Sequence, residues 1–133
     1  MDDSDLHFCS LSNSSIVYKG MLYSSSLGLF YNDLKNPLYE SVFVIYHRRF
    51  STNTLPKWHL AQPMRFLGHN GEINTVQGNL NWVSGREDQL KESIFADHGA
   101  SLTPISNSQL SDSGNLDRMA ELLVLTGKDP EVP

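Results

Sequence analysis

Apolar positions along the chain fall into two regimes. Up to about residue 67 they gather in short β-branched and aromatic clusters between turn residues, and from residue 74 onward they recur at helical spacing. Phe8 to Leu11 and Ser15 to Lys19 read as short strands, joined by a turn at Asn13-Ser14 and ended by Lys19-Gly20. Residues 21–40 read as irregular, with turn signals at Gly28, Asn32-Asp33 and Asn36-Pro37. Tyr39 to Tyr46 contains Ser41-Val42-Phe43-Val44-Ile45-Tyr46 and predicts a buried strand, followed by a polar loop from Arg49 to Lys57. Met64 to Leu67 predicts one more short strand, with Gly68-His69-Asn70-Gly71 at its end. Asn74 to about Glu92 predicts a helix with Val76, Leu80, Val83 and Leu90 near one face, although Gly78 and Gly85 weaken it. Ile94 to Ser108 reads as loop. A second helix then carries Leu116, Met119, Ala120, Leu123 and Val124 at helical spacing, with Ser113 as the expected N-cap and Gly127 as the expected stop. There is no internal repeat. The final residues, Lys128 to Pro133, close no element, and both ends read as cut from a longer chain.

Composition narrows the class. The 133 residues are 39% hydrophobic and 19% charged, which fits one soluble globular domain with a modest core. The net charge is -5 and only Arg48-Arg49 places two basic residues side by side, so no nucleic-acid footprint is present. No apolar run approaches a membrane span. The acidic start, Met1 to Asp5, reads as neither signal nor transit peptide. Cys9 is the one cysteine, so the chain forms no internal disulfide and cannot by itself ligate an iron–sulfur cluster.

Two segments collect more small polar residues than a surface loop needs: His47 to Thr54, and His69-Asn70-Gly71-Glu72-Ile73-Asn74-Thr75. Arg49 follows the expected buried strand and could grip a carboxylate through two parallel hydrogen bonds, with Ser51 and Thr52 near in sequence. It could equally be a strand-end arginine in a surface ion pair. Asn70-Gly71 lies between an expected strand and an expected helix. The Asn side-chain amide and the Gly backbone N–H are the two donors an oxyanion hole requires; an Asn-Gly turn is the plainer alternative. Asp112 could bind an ammonium group, or cap the helix it precedes. Cys9 reads as a packed, inert thiol rather than a nucleophile. The histidines at 7, 47, 59, 69 and 98 lack metal-ligand spacing, so no metal site is expected. Trp58 and Trp82 read as packing residues. The chain holds no nucleophile with a partnered base.

The run Tyr46 to Thr54, with Trp58, Ala61-Gln62-Pro63-Met64-Arg65, Gly68 to Thr75, Gly78-Asn79, Asn81-Trp82, Arg86-Glu87 and Ser111 to Asp117, resembles glutamate synthase. More narrowly it resembles the class II glutamine amidotransferase domain at the start of the large polypeptide, and it extends over nearly the whole chain as part of one such domain. Leu55-Pro56-Lys57-Trp58 and Ser111 to Asn115 are most similar to the ferredoxin-dependent branch, rather than the NAD(P)H-dependent one.

The resemblance implies an α+β fold, the αββα sandwich of the N-terminal-nucleophile hydrolases, here incomplete. It implies that L-glutamine is hydrolysed to glutamate and ammonia, and that the ammonia is channelled to 2-oxoglutarate. Arg49 would hold the α-carboxylate of glutamine with Thr52 close by, Asn70 and Gly71 would form the oxyanion hole, and Asp112 would bind the α-ammonium group. The family's nucleophile is an N-terminal cysteine activated by its own amino group. Cys9, at an internal position, does not match it. The chain alone is therefore expected to be inactive and to fold poorly. FMN, an iron–sulfur cluster and ferredoxin would belong to the full-length enzyme, in a plastid stroma or a cyanobacterial cytoplasm. Two alternatives share these residues: another class II amidotransferase, and a non-catalytic module that binds glutamine.

Overall fold

The computed structural model describes residues 6–50, 55–91 and 102–129. They form two compact units, Met1–Gly68 and His69–Pro133.

Among the described residues of the first unit, regular structure is limited to single turns. Ser24–Ser26, Asn32–Lys35 and Trp58–Leu60 are 3-10 turns, and α1 (Leu27–Phe30) is one helical turn. Side chains, not ladders, tie these pieces together. Lys19 Nζ donates to the carbonyls of Ala61 at 2.6 Å and Trp58 at 3.3 Å. The Tyr31 hydroxyl donates to the Lys19 carbonyl, and the Tyr18 hydroxyl donates to Asp33. The Tyr18 and Tyr31 rings meet tilted at 4.7 Å, and Phe30 meets Tyr31 edge-on at 4.9 Å.

The four segments expected as strands are not strands here, and none is assigned among the described residues. The Asn13-Ser14 turn is present, but it is closed by serines. Ser12 Oγ accepts the amides of Ser14 and Ser15, and Ser10 Oγ accepts the Val17 amide at 3.1 Å. Small hydroxyl side chains thus take backbone donors that a ladder would otherwise use. Met64 to Leu67 folds back as a turn, with the Met64 N–H on the Leu67 carbonyl at 2.8 Å. The run from Tyr39 to Tyr46 lies exposed, with Val42 at 100% and Phe43 at 73% of full accessibility. A strand is a pairwise object: its backbone groups need a neighbouring edge and its apolar faces need cover. This run instead lines an open hollow with Ile16, Tyr18 and Met64.

The second unit follows the sequence more closely. Helix α2 spans Val76–Lys91, within the expected range. Val76, Leu80 and Val83 are half-buried, as the periodicity requires, and Glu87 joins them on that face. Trp82 corrects the packing expectation. The residue is 71% exposed, with the Arg86 guanidinium 5.7 Å from its ring centroid. An exposed cation–π pair of this kind contributes about 0.5–1 kcal/mol.

Helix α3 spans Asp112–Leu125. Its cap is Ser111 and not Ser113: Ser111 Oγ accepts the Gly114 amide at 3.0 Å. Its end is as expected. Gly127 adopts φ 84°, its amide bonds to the Val124 carbonyl, and the Lys128 amide bonds to the Leu123 carbonyl. That bond pair is the Schellman motif, which favours a residue without Cβ at this position.

The apolar stripe of α3 is only partly covered, because Leu116 and Leu123 are exposed while Met119, Ala120 and Val124 are half-buried. The best-buried positions are polar and sit in the first turns: Ser113, Asn115 and Asp117, with Ile105 beside them in burial. Asn115 explains how polar groups can occupy such a place. Its Oδ1 accepts the Asn107 amide at 2.8 Å, and its Nδ2 donates to the carbonyls of Asn107 and Ser111 at 3.0 and 3.1 Å. Glu87 of α2 does the same for the preceding turn, accepting the Ile105 amide at 2.9 Å and the Ser106 amide at 3.4 Å. Arg118 donates to the Pro104 carbonyl at 3.1 Å. Satisfied buried polar groups of this kind specify a conformation, because leaving any one unpaired is costly.

A candidate ligand site at the start of two helices

The residues singled out from sequence divide between the units. Arg49 is an exposed residue of the first unit; Asn70, Gly71 and Asp112 belong to the second. Thr52 lies outside the described residues.

Within the second unit the structure joins two separate stretches of sequence. Asp112 is half-buried at the first position of α3. Its Oδ1 accepts the amide of Ser113 at 2.7 Å, and its Oδ2 accepts the amide of Ile73 at 3.4 Å. The loop from His69 to Thr75 is thus held against the α3 N-terminus by the one side chain expected to meet an ammonium group. A carboxylate there is also favoured by the helix dipole. Both roles weighed for Asp112 are compatible, since a carboxylate has about four acceptor positions.

The loop ends under backbone strain. Thr75, which precedes α2, has φ 60°. The left-handed region is unfavourable for a β-branched residue, and such outliers gather at functional sites. The Thr75 carbonyl accepts the Asn79 amide at 3.1 Å, which starts the α2 ladder.

Asn70 and Gly71 are exposed at the centre of this loop. The Gly71 N–H donates to His69 Nδ1 at 3.2 Å. Neither conformation nor packing demands a glycine at 71. Its φ is outside the left-handed region, and a Cβ there would meet only His69 Nδ1, at 3.8 Å. The space on its Cβ side leaves room for a ligand atom to come close to the backbone.

Sequence reasoning overlooked Ser111, Asn115 and Glu87 as organisers of this unit, and His69 as the acceptor on Gly71. Asn115 did carry a signal: asparagine inside a helix is a poor helix former, so its presence marks a specific hydrogen-bonding task.

In the first unit, His7 is half-buried near Lys19, His59 and Arg65. Burial, then the charges of those three residues, pushes its imidazole below the usual histidine range. Cys9, expected to be buried, is half-buried. Among the described residues no cluster of histidine, cysteine or acidic side chains could hold a metal ion, and no helix is long and apolar enough to cross a membrane.

A family model of the glutamine amidotransferases class-II matches residues 1–132. The chain is 64% identical over 128 residues to the chloroplastic ferredoxin-dependent glutamate synthase 2 of Arabidopsis thaliana, covering 96% of this chain. It is 59% identical over 128 residues to the chloroplastic ferredoxin-dependent glutamate synthase of Spinacia oleracea, again covering 96% of this chain. Over 127 residues it is 60% identical to ferredoxin-dependent glutamate synthase 2 of Synechocystis, covering 95% of this chain. The chain spans about 8% of the length of each of these relatives. With a family match over essentially its whole length, the chain belongs to the class-II glutamine amidotransferases.

Proposed function

We propose that this chain is the glutamine-binding part of the amidotransferase domain of a ferredoxin-dependent glutamate synthase. The observation that carries this reading is the Asp112 carboxylate bonded to the Ile73 amide. It ties the Asn70-Gly71 loop to the carboxylate that, in this reading, meets the α-ammonium group, and so supports recognition of an α-amino acid amide. The names and identities of the relatives supply the branch.

In this reading the whole chain is part of one domain with the αββα architecture of N-terminal-nucleophile hydrolases. The exposed Val42–Tyr46 run takes its place in a sheet completed by the rest of the protein. Arg49 binds the α-carboxylate of L-glutamine with Thr52 close by in the substrate site, and Asp112 binds the α-ammonium group. A cysteine thiolate from elsewhere in the full-length protein attacks the side-chain amide carbon. The developing oxyanion accepts hydrogen bonds from the Asn70 side chain and the Gly71 amide. Collapse expels ammonia and leaves a glutamyl thioester, which water hydrolyses to glutamate. The ammonia is channelled to 2-oxoglutarate. The full enzyme draws electrons from ferredoxin through FMN and an iron–sulfur cluster. This chain's single thiol does not fit such a cluster, and no step above is assigned to it. The setting is a plastid stroma or a cyanobacterial cytoplasm.

The test uses the full-length protein, assayed for glutamine hydrolysis and for glutamate formation with reduced ferredoxin. Asn70→Ala is expected to lower glutamine hydrolysis by about 100-fold or more, the usual effect of deleting an oxyanion donor. Arg49→Ala is expected to raise the KM for glutamine. Glutamine binding without turnover in the full-length protein would instead make this a binding module.

A further inference from the structure

The Gly71 amide cannot be a free oxyanion donor in this structure, because it already has an acceptor. Its N–H meets His69 Nδ1 at 3.2 Å, so Nδ1 presents its lone pair to the loop and does not carry a proton there. One N–H cannot serve two acceptors at full strength, so a substrate oxygen arriving at Gly71 must displace the imidazole.

The contact is dispensable for anchoring the loop, which has other ties. Asp112 Oδ2 holds the Ile73 amide, and the Thr75 carbonyl receives the Asn79 amide at the start of α2. Nor does the imidazole fill a space that a side chain at 71 would contest, since a Cβ there would stop 3.8 Å short of Nδ1. What the imidazole does is satisfy one donor at the place where the ligand oxygen is expected.

We infer that His69 is a positioning residue: its Nδ1 stands in for the substrate oxygen on the Gly71 amide and yields to it when glutamine binds. The exchange leaves the donor hydrogen-bonded before and after binding. It makes substrate binding weaker than it would be to an unoccupied amide, while the transition-state contact is unchanged.

The inference rests on the amidotransferase reading, and the experiment separates the two. In the full-length protein, His69→Phe keeps a planar ring and removes the acceptor. The KM for glutamine hydrolysis should fall by about 2- to 10-fold, the range for one net hydrogen bond, with kcat held. His69→Leu should do the same and carries the test if the Phe variant does not fold. His69→Asn keeps a short-reach acceptor and should restore a KM near that of the wild type. An unchanged or raised KM in the folded Phe or Leu variant overturns the inference, as does a fall in kcat, which a merely structural role would give. If Asn70→Ala leaves glutamine hydrolysis intact in the same assay, the amidotransferase reading fails first.

Discussion

Asp112 accepts the Ile73 amide through Oδ2 at 3.4 Å while its Oδ1 accepts the Ser113 amide at 2.7 Å. One carboxylate thus orders two pieces of chain that lie far apart in sequence. Asp112→Asn keeps an acceptor for Ser113 and removes the charge. In the full-length protein it should raise the KM for glutamine by about 10- to 100-fold, as expected for losing a charge-assisted contact, with little change in melting temperature. Asp112→Ala should show the same KM and also a lowered melting temperature. An Asn variant with wild-type KM would remove the ammonium role.

Gly71 separates packing from ligand contact. A methyl group fits there without a clash, and the backbone needs no left-handed conformation. Gly71→Ala should therefore hold stability to within about 1 kcal/mol. Glutamine hydrolysis should nonetheless fall by up to about 100-fold, because in the proposed site the added carbon crowds the substrate oxygen and a misplacement of about 1 Å can cost that much. Thermal unfolding and steady-state kinetics on one preparation check both halves.

Asn115 carries the polar core of the second unit. Asn115→Ala leaves the Asn107 amide without its acceptor, while the Asn107 and Ser111 carbonyls keep the Leu110 and Asn115 amides. The expected loss is about 1–3 kcal/mol of stability, the cost of one orphaned buried donor. Denaturant unfolding of the full-length protein, followed by a probe in this domain, measures it. A loss below that of an exposed Asn substitution would show that the network is not closed as described.

His7 gives a pH dependence with a definite sign. Its imidazole is held below 6.5 in the folded protein by burial and by Lys19, His59 and Arg65. Between that lowered value and 6.5, the unfolded chain binds more protons at this site. Its contribution is thus fully present above pH 6.5 and is lost as pH falls through the folded value. His7→Gln should flatten the acid side of the melting-temperature profile in that window and leave the profile above pH 7 unchanged.

Helices could be read from the chain because their evidence is local. Val76, Leu80 and Val83 share a face by spacing alone, and Gly127 ends α3 by the conformation only glycine adopts readily. The cap of α3 was misplaced by two residues because Ser111-Asp112-Ser113 offers two serines, and only geometry shows which one meets Gly114. Strands could not be read in the same way. Ser41 to Tyr46 has the composition of a buried strand, but burial and pairing are supplied by other segments, and no local signal reports whether they are in reach. The candidate site was legible as chemistry, in Asn70, Gly71 and Asp112. Its wiring was not, because a bond from Asp112 to Ile73 or from Asn115 to Asn107 depends on how the chain returns on itself.

The exposed run from Ser41 to Tyr46 has a consequence for how the protein is made. Six successive residues without charge or proline, rich in β-branched and aromatic side chains, form a segment able to zip onto copies of itself. A nascent chain that has emerged only this far would present that segment to every neighbour on the polysome. Production of the protein is then a race between folding cover over Val42 to Tyr46 and self-association through it. Slowing translation just after this stretch, or depleting chaperones that hold extended apolar segments, should reduce soluble yield before it alters the activity of the molecules that survive.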